Sequence, residues 1–265
     1  MNEQESQPRL ELAITAAREA GAKTLAYFNQ SNFEVEWKQD GTPVTVADRE
    51  AETHLRSQIE KHFPNDAILG EELPDRPGTS GYRWILDPID GTKSFVAGVP
   101  LYGTLVGVEY ENGCVIGAMV FPALDEYIYA ARGQGAWYVR GVAEPRQAHV
   151  SSVNRLSDSL FCVTSSTEFV DTNRTSVYER LSAQARVTRG WGDCYGYMLV
   201  ATGRAEIMAD PILSLWDMAA LPAILEEAGG TFSDWQGNPT IYSNEGLATN
   251  GHVLEEVLAV TRAES

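Results

Sequence analysis

The sequence predicts a layered α/β or α+β sandwich in two lobes, and three patterns carry that expectation. Two helical periodicities occupy the start of the chain. Alternating apolar segments joined by tight turns fill the middle. Short strands interleaved with helices make up the second half, after a boundary near residues 148–153. The expected division is an N-terminal α+β domain at 1–149 with an antiparallel sheet, then a C-terminal α/β domain at 150–265.

Residues 9–30 place Leu10, Leu12, Ile14, Ala17, Leu25 and Phe28 at helical rather than alternating spacing, although Gly21 weakens the pattern. Residues 45–63 read as a second helix. Thr45 caps it, Asp48 completes a capping box three positions later, and Pro64 stops it. A short apolar strand at 67–69 precedes the turn-rich stretch ELPDRPGTSG. Residues 82–87 read as a buried strand ending in a carboxylate. Segments 101–110 and 114–121 alternate and are joined by Glu111–Asn112–Gly113, a hairpin signal. Short strands continue through 125–140, and 147–152 resembles a last strand. Beyond the boundary, 159–165 reads as a strand, 168–184, 194–203 and 215–228 as helices, and 205–209 and 230–232 as short strands.

Composition limits the function. The 265 residues are 43% hydrophobic and 22% charged, as in ordinary globular proteins. Twenty Lys and Arg against 37 Asp and Glu leave a net charge of −17. That argues against non-specific binding to nucleic acid or an anionic membrane, both of which need a positive surface. An anionic substrate would need bridging cations. Cys114, Cys162 and Cys194 are too few and too scattered for a disulfide framework or thiolate site, and read as reduced core residues. The N-terminus has neither the positive region nor the apolar core of a signal peptide, and no apolar run is long enough to span a membrane.

The chemistry concentrates in WILDPIDGTKSF, residues 84–95. An apolar strand delivers Asp87 and Asp90, with Pro88 fixing the bend between them. Two converging carboxylates repel, and one would take up a proton unless a divalent cation supplies counter-charge. Oxygen-only ligands favour Mg²⁺, Mn²⁺ or Ca²⁺ over zinc. Gly91–Thr92–Lys93–Ser94 follows, and if it opens a helix its free N–H groups suit a phosphate. Taken alone, DPIDGT reads equally well as a turn. Further acids shift that balance: Glu71 at the end of the first short strand, Asp217 opening the helix WDMAALPAILEEAGG, and Asp48 in PVTVADRE. A plain cap reading is open for both Asp217 and Asp48.

In that order, GEE, DPIDGT and WD-x-A-A with EEAGG resemble the inositol monophosphatase-like superfamily of Mg²⁺-dependent phosphatases. The resemblance implies a layered α-β-α-β-α sandwich of the inositol monophosphatase/fructose bisphosphatase type. Carried over motif by motif, it implies Glu71, Asp87, the Ile89 carbonyl and Asp90 as metal ligands, and Asp217 as ligand of a second metal. It implies Asp90, Gly91 and Thr92 around the phosphate. Asp48, Thr92 and Glu71 would act on the attacking water. Lys38 matches a flexible basic position. Two or three Mg²⁺ per site (Mn²⁺ being possible), a homodimer and a cytoplasmic location are implied with them.

The stretch RGWGDCYGYMLVATGRAEIMAD, residues 189–210, resembles the histidinol-phosphatase branch more than inositol enzymes. Trp191, Gly192, Asp193, Asp210 and Asp217 are then expected on the substrate side, and Trp191 and Tyr195 read equally well as aromatic partners of an imidazole or as core packing. Extra carboxylates favour an amino alcohol carrying an ammonium group over a neutral polyol. Trp191 stands where glycine is more usual, and Asp210 where glutamate is. The expected reaction is hydrolysis of a small phosphate ester, L-histidinol phosphate first, inositol 1-phosphate or another sugar phosphate second. A non-catalytic metal-binding regulator is the alternative of another class.

Overall fold

The computed structural model describes residues 3–30, 35–37, 43–111 and 113–264. Helix α1 (Glu3–Thr24) starts earlier and ends earlier than the apolar spacing suggests. The early start has a tertiary cause. Arg9 is buried against Asp66, so the polar first turns are held by a partner that periodicity does not register. Strands β1 (Val35–Trp37) and β2 (Pro43–Thr45) pair antiparallel. Helix α2 (Val46–His62) begins with the expected capping box from Thr45 and Asp48.

Strands β3 (Ala67–Gly70), β4 (Tyr82–Asp90), β5 (Gly103–Tyr110), β6 (Gly113–Phe121), β7 (Glu126–Ala131), β8 (Ala136–Arg140) and β9 (Arg146–Gln147) form one sheet in sequence order. β3 runs parallel to β4, and every later pair is antiparallel, so the middle of the chain is the expected meander. Helix α3 (Thr92–Val96) leaves β4 directly. The second half holds β10 (Leu160–Cys162), α4 (Ser166–Asp171), α5 (Thr175–Gln184), β11 (Val187–Arg189), α6 (Asp193–Ala201), β12 (Ile207–Asp210), α7 (Leu215–Met218), α8 (Leu221–Glu227), β13 (Thr231–Ser233), β14 (Gly246–Thr249) and α9 (Leu254–Thr261). Its sheet has the order β11-β10-β12-β14-β13, mixed in direction.

The period of two sorts the first sheet into two apolar faces. Trp84, Leu86, Val106, Val108 and Ile116 pack under α1 and α2 with Ala13, Ala17, Leu55 and Ile59. Ile85, Leu105, Met119 and Phe121 face the other way, into a cluster with Met198 of α6, Ile224 of α8, and Met208 and Phe232 of the second sheet. The far face of the second sheet packs Phe161, Ile207 and Leu247 against Phe169, Leu181 and Val257. The result is five layers, α-β-α-β-α. The division near 149 falls between the two sheets, but the largest apolar cluster draws on both halves.

Three further expectations change. The helix at 168–184 is two, α4 and α5, parted where Asn173 adopts a left-handed φ of 59°. The helix at 215–228 is also two, because Pro222 has no N–H for the turn before it. The strand at 147–152 shrinks to β9. The chain also forms β11, β14 and α9, which the apolar patterning did not delimit. Among the described residues no helix is long and apolar enough to cross a membrane. All three cysteines are free and buried.

Candidate active site

The odd spacing of Asp87 and Asp90 is the local key. In a regular strand, residues three apart point to opposite faces. Here Asp87 pairs with Leu105 and Asp90 with Gly103, so two residues of β4 oppose one of β5. That is a bulge at Pro88–Ile89, where proline cannot donate to the ladder. Thr104 Oγ1 pins it by donating to the Pro88 carbonyl at 2.8 Å. The extra residue turns Asp90 to the same side as Asp87.

Asp217 arrives on that side from α7. Its approach depends on Gly107 and Gly117, cross-strand partners in β5 and β6. A Cβ on either would overlap the backbone of Ala219 or Ala220, so glycine at both lets the junction of α7 and α8 lie directly on the sheet. Carboxylate oxygens of Asp87, Asp90 and Asp217 then lie within 4.8 Å of one another. Glu71 continues from β3, its amide donating to the Leu86 carbonyl at 3.2 Å beside Asp87. It lies outside that tight triad, yet its charge still reaches Asp87. Burial and then the charges of Glu71, Asp90 and Asp217 hold the Asp87 carboxyl well above the usual range. Burial, followed by Asp193 and Asp217, does the same to Asp90.

The capping reading and the site reading are both satisfied, because a carboxylate has two oxygens. Asp217 Oδ2 accepts from the Ser214 amide at 2.7 Å and closes a capping box. Asp48 Oδ2 accepts from the Thr45 amide at 2.7 Å and from its hydroxyl at 2.6 Å. Asp48 Oδ1 is buried without a hydrogen-bond partner, as is Asp87 Oδ1. Burial pushes Asp48 up to about 6. Orphaned buried oxygens of this kind need an explanation, and carboxylates crowded together need counter-charge. A hard dication fits both needs.

Gly91 follows at φ 79°, a left-handed position suited to glycine, and begins the five-residue α3. Thr92 Oγ1 donates to the Ile89 carbonyl at 3.1 Å. Ala47, next to Asp48, packs with Ile89 and Phe95, which brings the start of α2 against this loop. Asp193 sits over it: Ser94 donates to Asp193 Oδ2 at 3.1 Å, and a Cβ at Gly91 would lie 2.9 Å from that same oxygen. The Cys194 amide donates to Asp90 Oδ2 at 2.6 Å, joining α6 to the triad.

Other expected residues are placed differently. Asp210 is buried and faces the protein: Oδ1 accepts from the Thr164 amide at 2.9 Å and Oδ2 from the Tyr197 hydroxyl at 3.0 Å. Its carboxyl is raised to about 7 by burial. Tyr195 does not line the site; its ring packs edge-on against Phe121, and its hydroxyl reaches Glu126 at 3.4 Å. Trp191 is 43% exposed beside Arg189. Gly192 lets the chain pass against Thr164, where a Cβ would overlap backbone. Lys38 lies outside the described residues.

Sequence reasoning missed two neighbours. Thr164 gives its amide to Asp210 and accepts from the Asp193 amide at 2.8 Å. Glu168 of α4 has one buried oxygen without a hydrogen-bond partner. Its carboxyl is raised by burial, opposed by Lys93, and raised further by the charges of Asp193 and Asp217. Glu168 carries no linear signal, being one acid in an amphipathic stretch.

The model of the "Inositol monophosphatase family" matches residues 5–265. A histidinol-phosphatase of Chlorobaculum parvum is 44% identical over 247 residues, covering 93% of each chain. An inositol-1-monophosphatase of Rhizobium meliloti is 32% identical, covering 86% of each. Among solved structures, the extragenic suppressor protein suhB of Bartonella henselae superposes with a TM-score of 0.88 at 27% identity, over 96% of this chain and 98% of the other.

Proposed function

The chain belongs to the inositol monophosphatase family and is a phosphoric monoester hydrolase, and from that premise we propose that it is Mg²⁺-dependent and acts on L-histidinol phosphate. The observation that carries the substrate reading is the acidic wall beside the phosphate loop. Asp193 lies against Gly91 and accepts from Ser94, and Glu168 of α4 feels the charges of Asp193 and Asp217 with Lys93 as the opposing cation. A neutral polyol gains little from such a wall. An ammonium group gains charge-assisted hydrogen bonds. The 44% identity to a histidinol-phosphatase, against 32% to an inositol phosphatase, supports the same choice.

Glu71, Asp87, the Ile89 carbonyl, Asp90 and Asp217 would hold the cations. Divalent ions at such a site lower the pKa of a bound water and neutralise charge on phosphoryl oxygens. The residues of the chain do the rest. The backbone amides of Gly91 and Thr92 hold the phosphoryl group at the mouth of α3. Asp48 Oδ1 accepts a proton of the attacking water, and the Thr92 hydroxyl orients that water. The water oxygen bonds to phosphorus, the ester P–O bond breaks, and the departing alkoxide takes a proton from solvent water, whose hydroxide recovers the proton held on Asp48. Asp193, anchored by Ser94, receives the ammonium of the leaving alcohol.

Phosphate release from L-histidinol phosphate and from inositol 1-phosphate tests this. The expected kcat/KM ratio is about 100 in favour of histidinol phosphate, worth about 2.7 kcal/mol. Asp193→Asn lowers the histidinol phosphate value about 30-fold and a generic phosphate ester less than threefold. Equal turnover of the two natural esters, or equal losses in the variant, overturns the substrate assignment.

A further inference from the structure

A second fully buried acid lies on α2 one turn beyond Asp48. Glu52 is 0% exposed, and its carboxylate reaches the loop after β3. Oε2 accepts from the Glu72 amide at 2.7 Å. Oε1 accepts from the Leu73 amide at 3.2 Å and from Arg56 Nε at 2.7 Å. Arg56 in turn donates from Nη1 to the Pro74 carbonyl and from Nη2 to the Leu73 carbonyl, both at 2.9 Å. One side chain therefore takes the N–H groups of the loop and its partner takes the C=O groups.

Gly70 belongs to the same device. A Cβ there would overlap the Glu52 carboxylate, so the absence of a side chain makes the space that Glu52 fills. Glu71 sits between Gly70 and Glu72, with its backbone held on one side by Leu86 of β4 and on the other by Glu52. Asp48 and Glu52 share one helix face at i and i+4. The acid that reaches the attacking water and the loop that carries Glu71 are thus fixed to the same turn of α2.

We infer that Glu52, paired with Arg56, is a positioning residue of the cation site: it locks the Glu71 loop to the helix bearing Asp48. This rests on the metal-dependent reading above. Groups that orient ligands from behind cost about 10–100-fold in metal affinity when removed. The rival role is plain stabilisation, for which the molecule supplies a control. Arg9 and Asp66 also form a buried two-bond pair, at 2.8 and 2.9 Å, joining α1 to the residue before β3.

The test is Mn²⁺ titration of metal-free protein by calorimetry, with the Mg²⁺ dependence of phosphate release measured alongside. Glu52→Gln keeps the shape but sets an amide donor against backbone N–H groups and releases Arg56. It is expected to weaken Mn²⁺ binding about tenfold and raise the half-saturating Mg²⁺ equally, with kcat at saturating Mg²⁺ within about threefold of the parent. Arg56→Lys, which cannot reach both carbonyls at once, gives a smaller shift of about threefold and carries the test if Glu52→Gln does not fold. Arg9→Lys lowers the melting temperature and leaves Mn²⁺ affinity unchanged. Parent-like Mn²⁺ binding in both clamp variants, or an equal loss in Arg9→Lys, overturns the inference. If the parent itself takes up no Mn²⁺, the metal reading fails and the clamp fails with it.

Discussion

Asp66 and Asp87 are both buried, 1% and 2% exposed, yet they live in opposite surroundings. Asp66 accepts two bonds from Arg9 and one at 2.9 Å from the Trp84 indole. Asp87 has an oxygen with no donor and the charges of three other acids upon it. A structural acid brings its counter-charge within the chain. On the reading proposed above, the acids of the triad take that charge from a bound cation. The contrast separates what holds the fold from what the fold holds in readiness, because crowding like charges in a low-dielectric pocket costs stability that no packing requires.

The sharpest way to break the comparison is to remove charge from each place. Asp217→Asn is expected to lower phosphate release at saturating Mg²⁺ by about 1,000-fold, roughly 4 kcal/mol, while circular dichroism shows the fold intact. Near-parental turnover would take Asp217 out of the site. Asp66→Asn strands Arg9 in the interior and is expected to destabilise by about 3–5 kcal/mol in urea unfolding, with metal affinity unchanged. Asp87→Asn should do the reverse in metal-free protein. It relieves repulsion and raises stability by about 1 kcal/mol, or about 2–4 °C. A loss comparable to that of Asp66→Asn would erase the distinction.

A smaller effect sharpens the same point through pH. Asp48 at about 6, Asp210 at about 7, and the raised Asp87 and Asp90 all bind protons more tightly in the folded chain than in the unfolded one. Their contribution to stability is complete below the ordinary carboxylate pKa near 4 and is lost as pH climbs through the folded values. Metal-free protein should therefore melt several degrees lower at pH 8 than at pH 5.5. Mg²⁺ should restore more at pH 8, where the ligands are charged. A melting temperature indifferent to both pH and Mg²⁺ would contradict the assignment of counter-charge to the cation.

The gathering of the acids was legible in the chain because those acids sit at signals that are also structural. The capping box of Thr45–Asp48 and the cap position of Asp217 mark helix starts that each carry an acid. Pro88 marks the strand irregularity that turns Asp90. Gly91 marks the entry to α3. What stayed hidden depends on tertiary direction. Whether Asp210 faces a ligand or Tyr197 is set by how α6 lies against β12, and whether Tyr195 lines the site or packs on Phe121 is set by the turn of α6. The clamp of Glu52 on the Glu71 loop joins residues 20 apart through side chain and backbone, a contact without periodicity. Short elements such as β11 and β14 gain their strength from the neighbours they pair with, not from their own three or four residues.

The most direct measurement is hydrolysis of L-histidinol phosphate by protein stripped of divalent ions, followed as Mg²⁺ is added back. The cage of Asp87, Asp90 and Asp217 predicts no phosphate release at the start and full recovery as Mg²⁺ saturates. Full turnover sustained in excess chelator would show that these acids serve some other purpose.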